Sequence, residues 1–197
     1  MTKTLYLMRH GQTLFNKRHR IQGWCDAPLT DLGVYQAQVA GQYFKNAGIT
    51  FDAAYSSTSE RACDTLEIVT NGSLPYQRVK GLKEWNFGTF EGESEDLNPP
   101  LPYEDFFVTY GGESQDQVRE RMAATILQLM QETKGKSVLM VSHGGAMANF
   151  AHAWEDNWRL DNLGHMTNCG ILKFSFEDDQ FYLEEAIGHD FSGWEEK

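Results

Sequence analysis

Two short apolar runs end alike, and together they limit what this chain can become. Leu5-Tyr6-Leu7-Met8 runs into Arg9-His10-Gly11, and Val138-Leu139-Met140-Val141 runs into Ser142-His143-Gly144-Gly145. Each run has the length and composition of a buried strand closed by glycine. In a parallel sheet both histidines would emerge at the same C-terminal edge, where open α/β folds collect their ligands. The interval between the runs is long enough for the crossover helices that parallel strands require.

The periodicity between them alternates. Thr30 is placed to cap a helix in which Val34, Ala37, Ala40, Gly41 and Phe44 recur at helical spacing, and Gly48 stops it. Phe51 to Ser57 reads as a second strand that runs into a helix from Thr58, and Tyr76 to Val79 as a short third strand. Ser114 opens the longest helical pattern, with Val118, Met122, Ile126, Leu129 and Met130 on one face and Lys134-Gly135 closing it. A helix is expected over Ala146 to Trp154, irregular chain over 157–168, and a hairpin pairing Gly170 to Phe176 with Phe181 to Ala186. Strand and helix in alternation predict an α/β fold with a mostly parallel central sheet and helices on its faces. The run Asn98-Pro99-Pro100-Leu101-Pro102 breaks regular structure, so 92–112 is read as a cap or lid on a single domain spanning 1–197. Trp194 to Lys197 is expected to be loose.

The net charge of −11 disfavours nucleic acid and anionic membranes as partners, because both need concentrated positive surface. Cys25, Cys63 and Cys169 are scattered, with no Cys-x-x-Cys pair, and read as reduced thiols. No stretch approaches the ~18 apolar residues of a spanning helix. Met1-Thr2-Lys3-Thr4 leads straight into the first strand without a secretory signal. A cytoplasmic protein is expected, with a homodimer left open.

The chemistry-bearing residues stand at strand and helix ends. His10 is either a nucleophile or half of a surface Arg-His pair; neutral imidazole can attack phosphorus at pH 7 if one ring nitrogen donates to a backbone carbonyl and aims the other. Arg9 suits clamping phosphate oxygens. Arg61 lies in the first turn of its helix, where a cation opposes the dipole, so it either pairs with Glu60 or Asp64 or shares an anion with the free N–H groups. Glu84 falls in the aromatic, glycine-rich run Gly81 to Gly92, a costly place for an unpaired carboxylate, and a raised pKa would suit a proton donor. His143, if protonated, adds a positive donor, while Asn16, Gln22 and the backbones of Gly23 and Gly144 add neutral ones. Phosphoryl transfer through a phosphohistidine fits this set and calls for no metal and no cofactor. Metal hydrolysis fits less well, because no His-Glu-x-x-His or His-x-His is present and arginines repel cations. A Ser-His-Asp hydrolase would want Gly-x-Ser-x-Gly, which is missing. His19, His152, His165 and His189 read as structural or solvated.

Leu7-Met8-Arg9-His10-Gly11-Gln12-Thr13 with Asn16 resembles the signature of the histidine phosphatase superfamily, the phosphoglycerate mutase-like proteins. The resemblance continues through Asp26-Ala27-Pro28-Leu29-Thr30, Tyr55-Ser56-Ser57, Arg61-Ala62, Glu84, Glu91-Gly92, Gly112-Glu113-Ser114 and Ser142-His143-Gly144-Gly145. It implies a three-layer α/β/α sandwich with a phosphate pocket at the C-terminal strand ends. His10 would be the phosphorylated residue, with Arg9, Arg61 and His143 completing the pocket, Asn16 a phosphate ligand and Glu84 the proton donor.

Cofactor-dependent phosphoglycerate mutases, by the same resemblance, carry arginines after the Glu-Gly that hold the substrate carboxylate. Between Lys83 and Arg119 this chain has no lysine or arginine, and Glu91, Glu93, Glu95, Asp96, Glu104, Asp105, Glu113 and Asp116 crowd the interval. That argues against a small doubly anionic substrate, and Tyr103, Phe106, Phe107 and Tyr110 point to an uncharged or apolar leaving group. The expected activity is metal-independent hydrolysis of a small phosphomonoester, as in histidine acid-type phosphatases. The alternatives are a 2,3-bisphosphoglycerate-dependent mutase, for which Lys17, Arg18 and Arg20 could hold a second anion, and a phospholigand-binding domain without turnover.

Overall fold

Alternation along the strands sorts the core into two faces. Leu5 and Leu7 point one way and Tyr6 and Met8 the other, and the second run repeats the split with Val138 and Met140 against Leu139 and Val141. Burial on both sides is what interior strands of a covered sheet require. The computed structural model describes residues 2–164 and 166–195. In chain order its elements are β1 (Lys3–Arg9), α1 (Leu14–Lys17), α2 (Asp31–Asn46), β2 (Ala53–Ser57), α3 (Glu60–Val69), β3 (Gln77–Val79), α4 (Gln115–Glu132), β4 (Ser137–Ser142), α5 (Gly144–His152), β5 (Ile171–Glu177) and β6 (Gln180–Ile187).

One six-stranded sheet results, in the order β3-β2-β4-β1-β5-β6. The first four of these run parallel, and β5 and β6 continue antiparallel beyond β1. Met122, Ile126, Met147 and Phe150 bring α4 and α5 onto one face; Ala37, Phe44, Ala62 and Leu66 bring α2 and α3 onto the other. This is the expected three-layer α/β/α arrangement. Among the described residues no helix is long and apolar enough to cross a membrane.

Local signals account for the helix starts. The Thr30 hydroxyl accepts from Gly33 N at 3.0 Å, and Ser114 forms a reciprocal capping box with Gln117. The fifth helix begins at Gly144, two residues before the expected Ala146, and ends at His152 rather than Trp154. Two glycines open it because the Glu84 carboxylate binds the N–H groups of its first turn, which offsets their poor helix propensity. Within 103–110 a 3-10 turn covers Phe106–Tyr110. The expectations for His165 and for Glu196-Lys197 fall outside the described residues.

The register of β1 against β4 pairs Arg9 with Ser142, so the next residue on each strand is a histidine. Helix α2 then braces the chain after His10 by direct backbone contact. A Cβ on Gly33 would stand 2.0 Å from Gln12 O, and one on Gly11 2.5 Å from Gly33 O. Gly33→Ala is therefore expected to cost about 1–3 kcal/mol, read as a lower urea midpoint at unchanged slope.

Candidate active site

His10 and His143 leave adjacent strands, and their rings meet edge to face with centroids 5.2 Å apart. His10 is 4% exposed and His143 fully buried. His10 Nδ1 lies 2.7 Å from Gly11 O; that nitrogen therefore carries the hydrogen, and Nε2 keeps its lone pair. His143 Nε2 bonds Ser57 Oγ at 2.8 Å, while its Nδ1 is buried with no partner among the described residues. Burial first, then the charges of Arg61 and Arg9, push the His10 pKa well below its ordinary value of about 6.5. Burial, Arg61 and His10 do the same to His143. Both rings are neutral at pH 7. Of the two states open to His143, the buried ring favours the neutral one, which offers an N–H without charge, because an imidazolium here would be desolvated beside two guanidiniums.

Arg61 is fully buried, and neither Glu60 nor Asp64 is its partner. Its Nη1 donates to Cys25 O at 2.9 Å and Asp26 Oδ1 at 2.8 Å, and its Nη2 to Gly23 O at 2.8 Å. The Nε stays without a partner among the described residues. Glu91 shapes the loop that supplies these carbonyls. Its carboxylate accepts from Gly23 N (3.1 Å), Trp24 N (2.7 Å), Cys25 N (3.0 Å) and Phe87 N (3.1 Å). The expected phosphate-binding role of the Gly23 backbone is thereby corrected. Its N–H is spent on Glu91 and its carbonyl on Arg61, and glycine is needed because a Cβ would lie 2.1 Å from Trp85 O.

The Glu84 carboxylate, whose surroundings would be costly if it were unpaired, has partners. It accepts from Trp85 N at 2.9 Å, Gly145 N at 2.9 Å and Ala146 N at 2.6 Å. Arg121 of α4 fixes the backbone beneath it, donating to Gly81 O and Lys83 O, both at 2.9 Å, and to Glu84 O at 3.2 Å. The same guanidinium forks onto Glu113 at 2.8 Å through each of two nitrogens. Nothing local marks Arg121 as part of the site, and the Glu91-Gly92 pair gives no sign that Glu91 gathers the distant loop 23–25.

A cavity of about 690 Å³ opens over these groups, with Arg9, His10, Asn16, Gln22, Glu84 and Gly144 on its wall. Arg61, His143 and Gly23 lie behind that wall. Arg9 Nη1 donates to Met166 O at 2.6 Å, and its Nε is buried and unpartnered among the described residues. Asn16 Oδ1 accepts from Thr13 N at 3.1 Å and Asn168 Nδ2 at 3.3 Å, which turns its own Nδ2 outward. Gln22 Oε1 accepts from Thr13 Oγ1 at 2.6 Å, leaving a buried Nε2 without a partner among the described residues. The site thus holds several buried donors that an anion would satisfy.

The outer wall departs from expectation. Of the four lid aromatics, Tyr103 lines the cavity, whereas Phe107 packs against Trp85, Phe87 and Phe90, and Phe106 and Tyr110 pack on Phe90. Arg20 of the basic patch lines the cavity; Lys17 and Arg18 do not. His152, expected to be structural or solvated, stands on the cavity wall with its Nδ1 3.2 Å from Glu155.

An α/β protein with neutral imidazoles and guanidiniums gathered at the carboxyl edge of its parallel strands is the class this geometry defines. Residues 5–187 match the model of the histidine phosphatase superfamily (branch 1), and the chain belongs to that superfamily. It is 34% identical to "Probable phosphoglycerate mutase GpmB" of Yersinia pestis, over 96% of this chain and 89% of that one. It is 28% identical to "Metal-independent phosphoserine phosphatase" of Arabidopsis thaliana, over 89% of this chain and 88% of that one. The crystal structure of a phosphoglycerate mutase from Bacillus anthracis superposes with a TM-score of 0.81 at 29% identity, covering 93% of this chain and 92% of that one. Relatives thus include phosphatases and mutases.

The two depressed imidazole pKa values carry a stability consequence. The folded state resists protons that the unfolded chain accepts below pH ~6.5, so stability is full above that pH and falls as pH drops toward the lower folded-state values. Unfolding free energies from urea titrations are expected to be flat from pH 7 to ~6.5 and then to fall toward pH 5 by up to ~1.4 kcal/mol per pH unit for each histidine, less in His143→Gln.

Proposed function

We propose that the protein hydrolyses small phosphomonoesters through a phosphohistidine on His10. The observation that carries this reading is the setting of that ring: anchored through Nδ1 to Gly11 O, and on the wall of a cavity rich in donors that have no partner among the described residues. Nε2 attacks phosphorus in line with the leaving oxygen. The Nε groups of Arg9 and Arg61, Nε2 of Gln22, Nδ2 of Asn16, Nδ1–H of His143 and the Gly144 N–H surround the non-bridging oxygens as charge builds there. Glu84, in its acid form, gives its proton to the leaving oxygen as the P–O bond breaks. Its carboxylate then takes a proton from water, whose oxygen attacks phosphorus and releases His10 neutral.

One feature favours water over a second substrate as the acceptor: the interval between Lys83 and Arg119 supplies no cation for a substrate carboxylate, and of the basic patch that could hold a second anion only Arg20 lines the cavity among the described residues. The similarity to a protein named as a metal-independent phosphoserine phosphatase points the same way. We read 92–112 as the lid of a single domain and the enzyme as cytoplasmic, acting on a free metabolite without nucleic acid or membrane. A metal ion is not needed, since the arginines supply the positive charge.

Assays in EDTA on a panel of phosphomonoesters, and on 3-phosphoglycerate with catalytic 2,3-bisphosphoglycerate, test the reading. Inorganic phosphate release without isomerised product is expected; efficient isomerisation would show a mutase. His10→Ala should abolish turnover while the protein stays folded. Glu84→Gln should lower kcat by about 10²–10⁴-fold with little change in phosphate inhibition.

A further inference from the structure

Resting on the phosphatase reading, we propose that Ser57 is a positioning residue that selects the tautomer of His143. Its hydroxyl gives its hydrogen to Nε2, which places the ring's own hydrogen on Nδ1 and makes a neutral imidazole a donor to the transferring phosphoryl group.

A neutral imidazole has one donor nitrogen and one acceptor, and the bond made by one nitrogen decides the state of the other. Nε2 of His143 lies 2.8 Å from Ser57 Oγ, a pair in which either atom can donate. The rest of the Ser57 network settles the direction. Ser59 N donates to Ser57 Oγ at 3.3 Å and so occupies one of the oxygen's lone pairs. The hydroxyl hydrogen then has two acceptors in reach, Ser59 Oγ at 3.5 Å and His143 Nε2 at 2.8 Å. A hydroxyl bonds best at about 2.7–2.8 Å and poorly beyond about 3 Å, so the hydrogen goes to Nε2.

The placement of that hydroxyl is fixed from two sides. Ser57 is the last residue of β2, one position beyond the pairing of Ser56 with Val141 on β4, and both Ser57 and His143 are fully buried. Ser59 is the residue from which α3 starts, and Cys63 of the same helix donates its Sγ hydrogen to Ser57 O at 3.2 Å.

The two histidines thereby take opposite parts. His10 anchors Nδ1–H on Gly11 O and presents Nε2 as a lone pair, whereas His143 anchors Nε2 on Ser57 and presents Nδ1, a buried atom without a partner among the described residues. With the other tautomer the site would hold two lone pairs, and the one on His143 would repel the oxygens of a phosphate dianion. Positive charge on the ring cannot substitute, because burial first and then Arg61 hold it neutral.

Nitrogen NMR of the histidine rings tests this in the resting protein, since protonated and bare ring nitrogens resonate far apart. The His143 signals are identified by their loss in His143→Gln. The wild-type protein is expected to carry hydrogen on Nδ1 of His143 and none on Nε2. Ser57→Ala removes the hydroxyl without adding bulk; it should move hydrogen onto Nε2 and lower kcat/KM for p-nitrophenyl phosphate about 10–100-fold, mainly through kcat. A residue with only a structural role would leave the tautomer where it was. Hydrogen on Nε2 in the wild-type protein, a tautomer that Ser57→Ala leaves unmoved, or a shifted tautomer with unchanged kcat/KM overturns the assignment, while hydrolysis of p-nitrophenyl phosphate by the wild-type protein keeps the phosphatase reading standing. Failure of the wild-type protein to hydrolyse any phosphomonoester overturns that reading and, with it, the part given to the His143 N–H.

Discussion

The buried charge of Arg61 is the constraint on which the site depends. A guanidinium removed from water needs partners in every direction it points, and here they come from a loop 35 residues upstream in sequence. Asp26 balances part of the charge, and Gly23 O and Cys25 O take further hydrogens. Those carbonyls face inward because Glu91 gathers the N–H groups of the same residues. Arg61 in turn acts on the imidazoles. After burial, its charge is the largest influence holding both His10 and His143 neutral. One cation thus serves two ends: it attracts phosphate, and it keeps the proton off the nitrogen that must attack.

Glu84 joins the two sides of the sheet edge in a comparable way. Its carboxylate caps the first turn of α5, whose preceding residue is His143, while its backbone hangs from Arg121 on α4. Displacement of the loop 81–86 would therefore disturb the capping of α5 and the placement of His143 together. Glu113 completes the tie, accepting from Arg121 and from Asn86 N at 2.9 Å. The carboxylate that moves protons in the proposed reaction is also one of the groups holding the scaffold, so its geometry is set before any ligand enters.

Much of this was legible in the chain itself. Apolar runs of strand length, the Thr30 and Ser114 caps and the two His-Gly endings read correctly because each is a local signal, carried by neighbours or by residues one helical turn away. The parallel register of β1 and β4 followed from the same pattern repeated at two places. What escaped notice is non-local: the Asp26 partner of Arg61, the loop-gathering role of Glu91, and the Arg121 brace. A carboxylate that binds backbone N–H groups leaves no periodicity to read. The lid misled for a different reason. Aromatic side chains announce packing without saying against what: Phe107 buries against Phe106 and Phe90, while Phe106 and Tyr110 touch each other and Phe90 from the exposed side.

The cavity is consequently unequal along its length. At the inner end, guanidiniums, neutral imidazoles and a helix start present donors, and a phosphate dianion is the group that satisfies them. In the lid segment, Glu95 and the amide oxygen of Asn98 present acceptors. Orientation is what the chemistry needs, because Nε2 of His10 must lie in line with the leaving oxygen and Glu84 beside it.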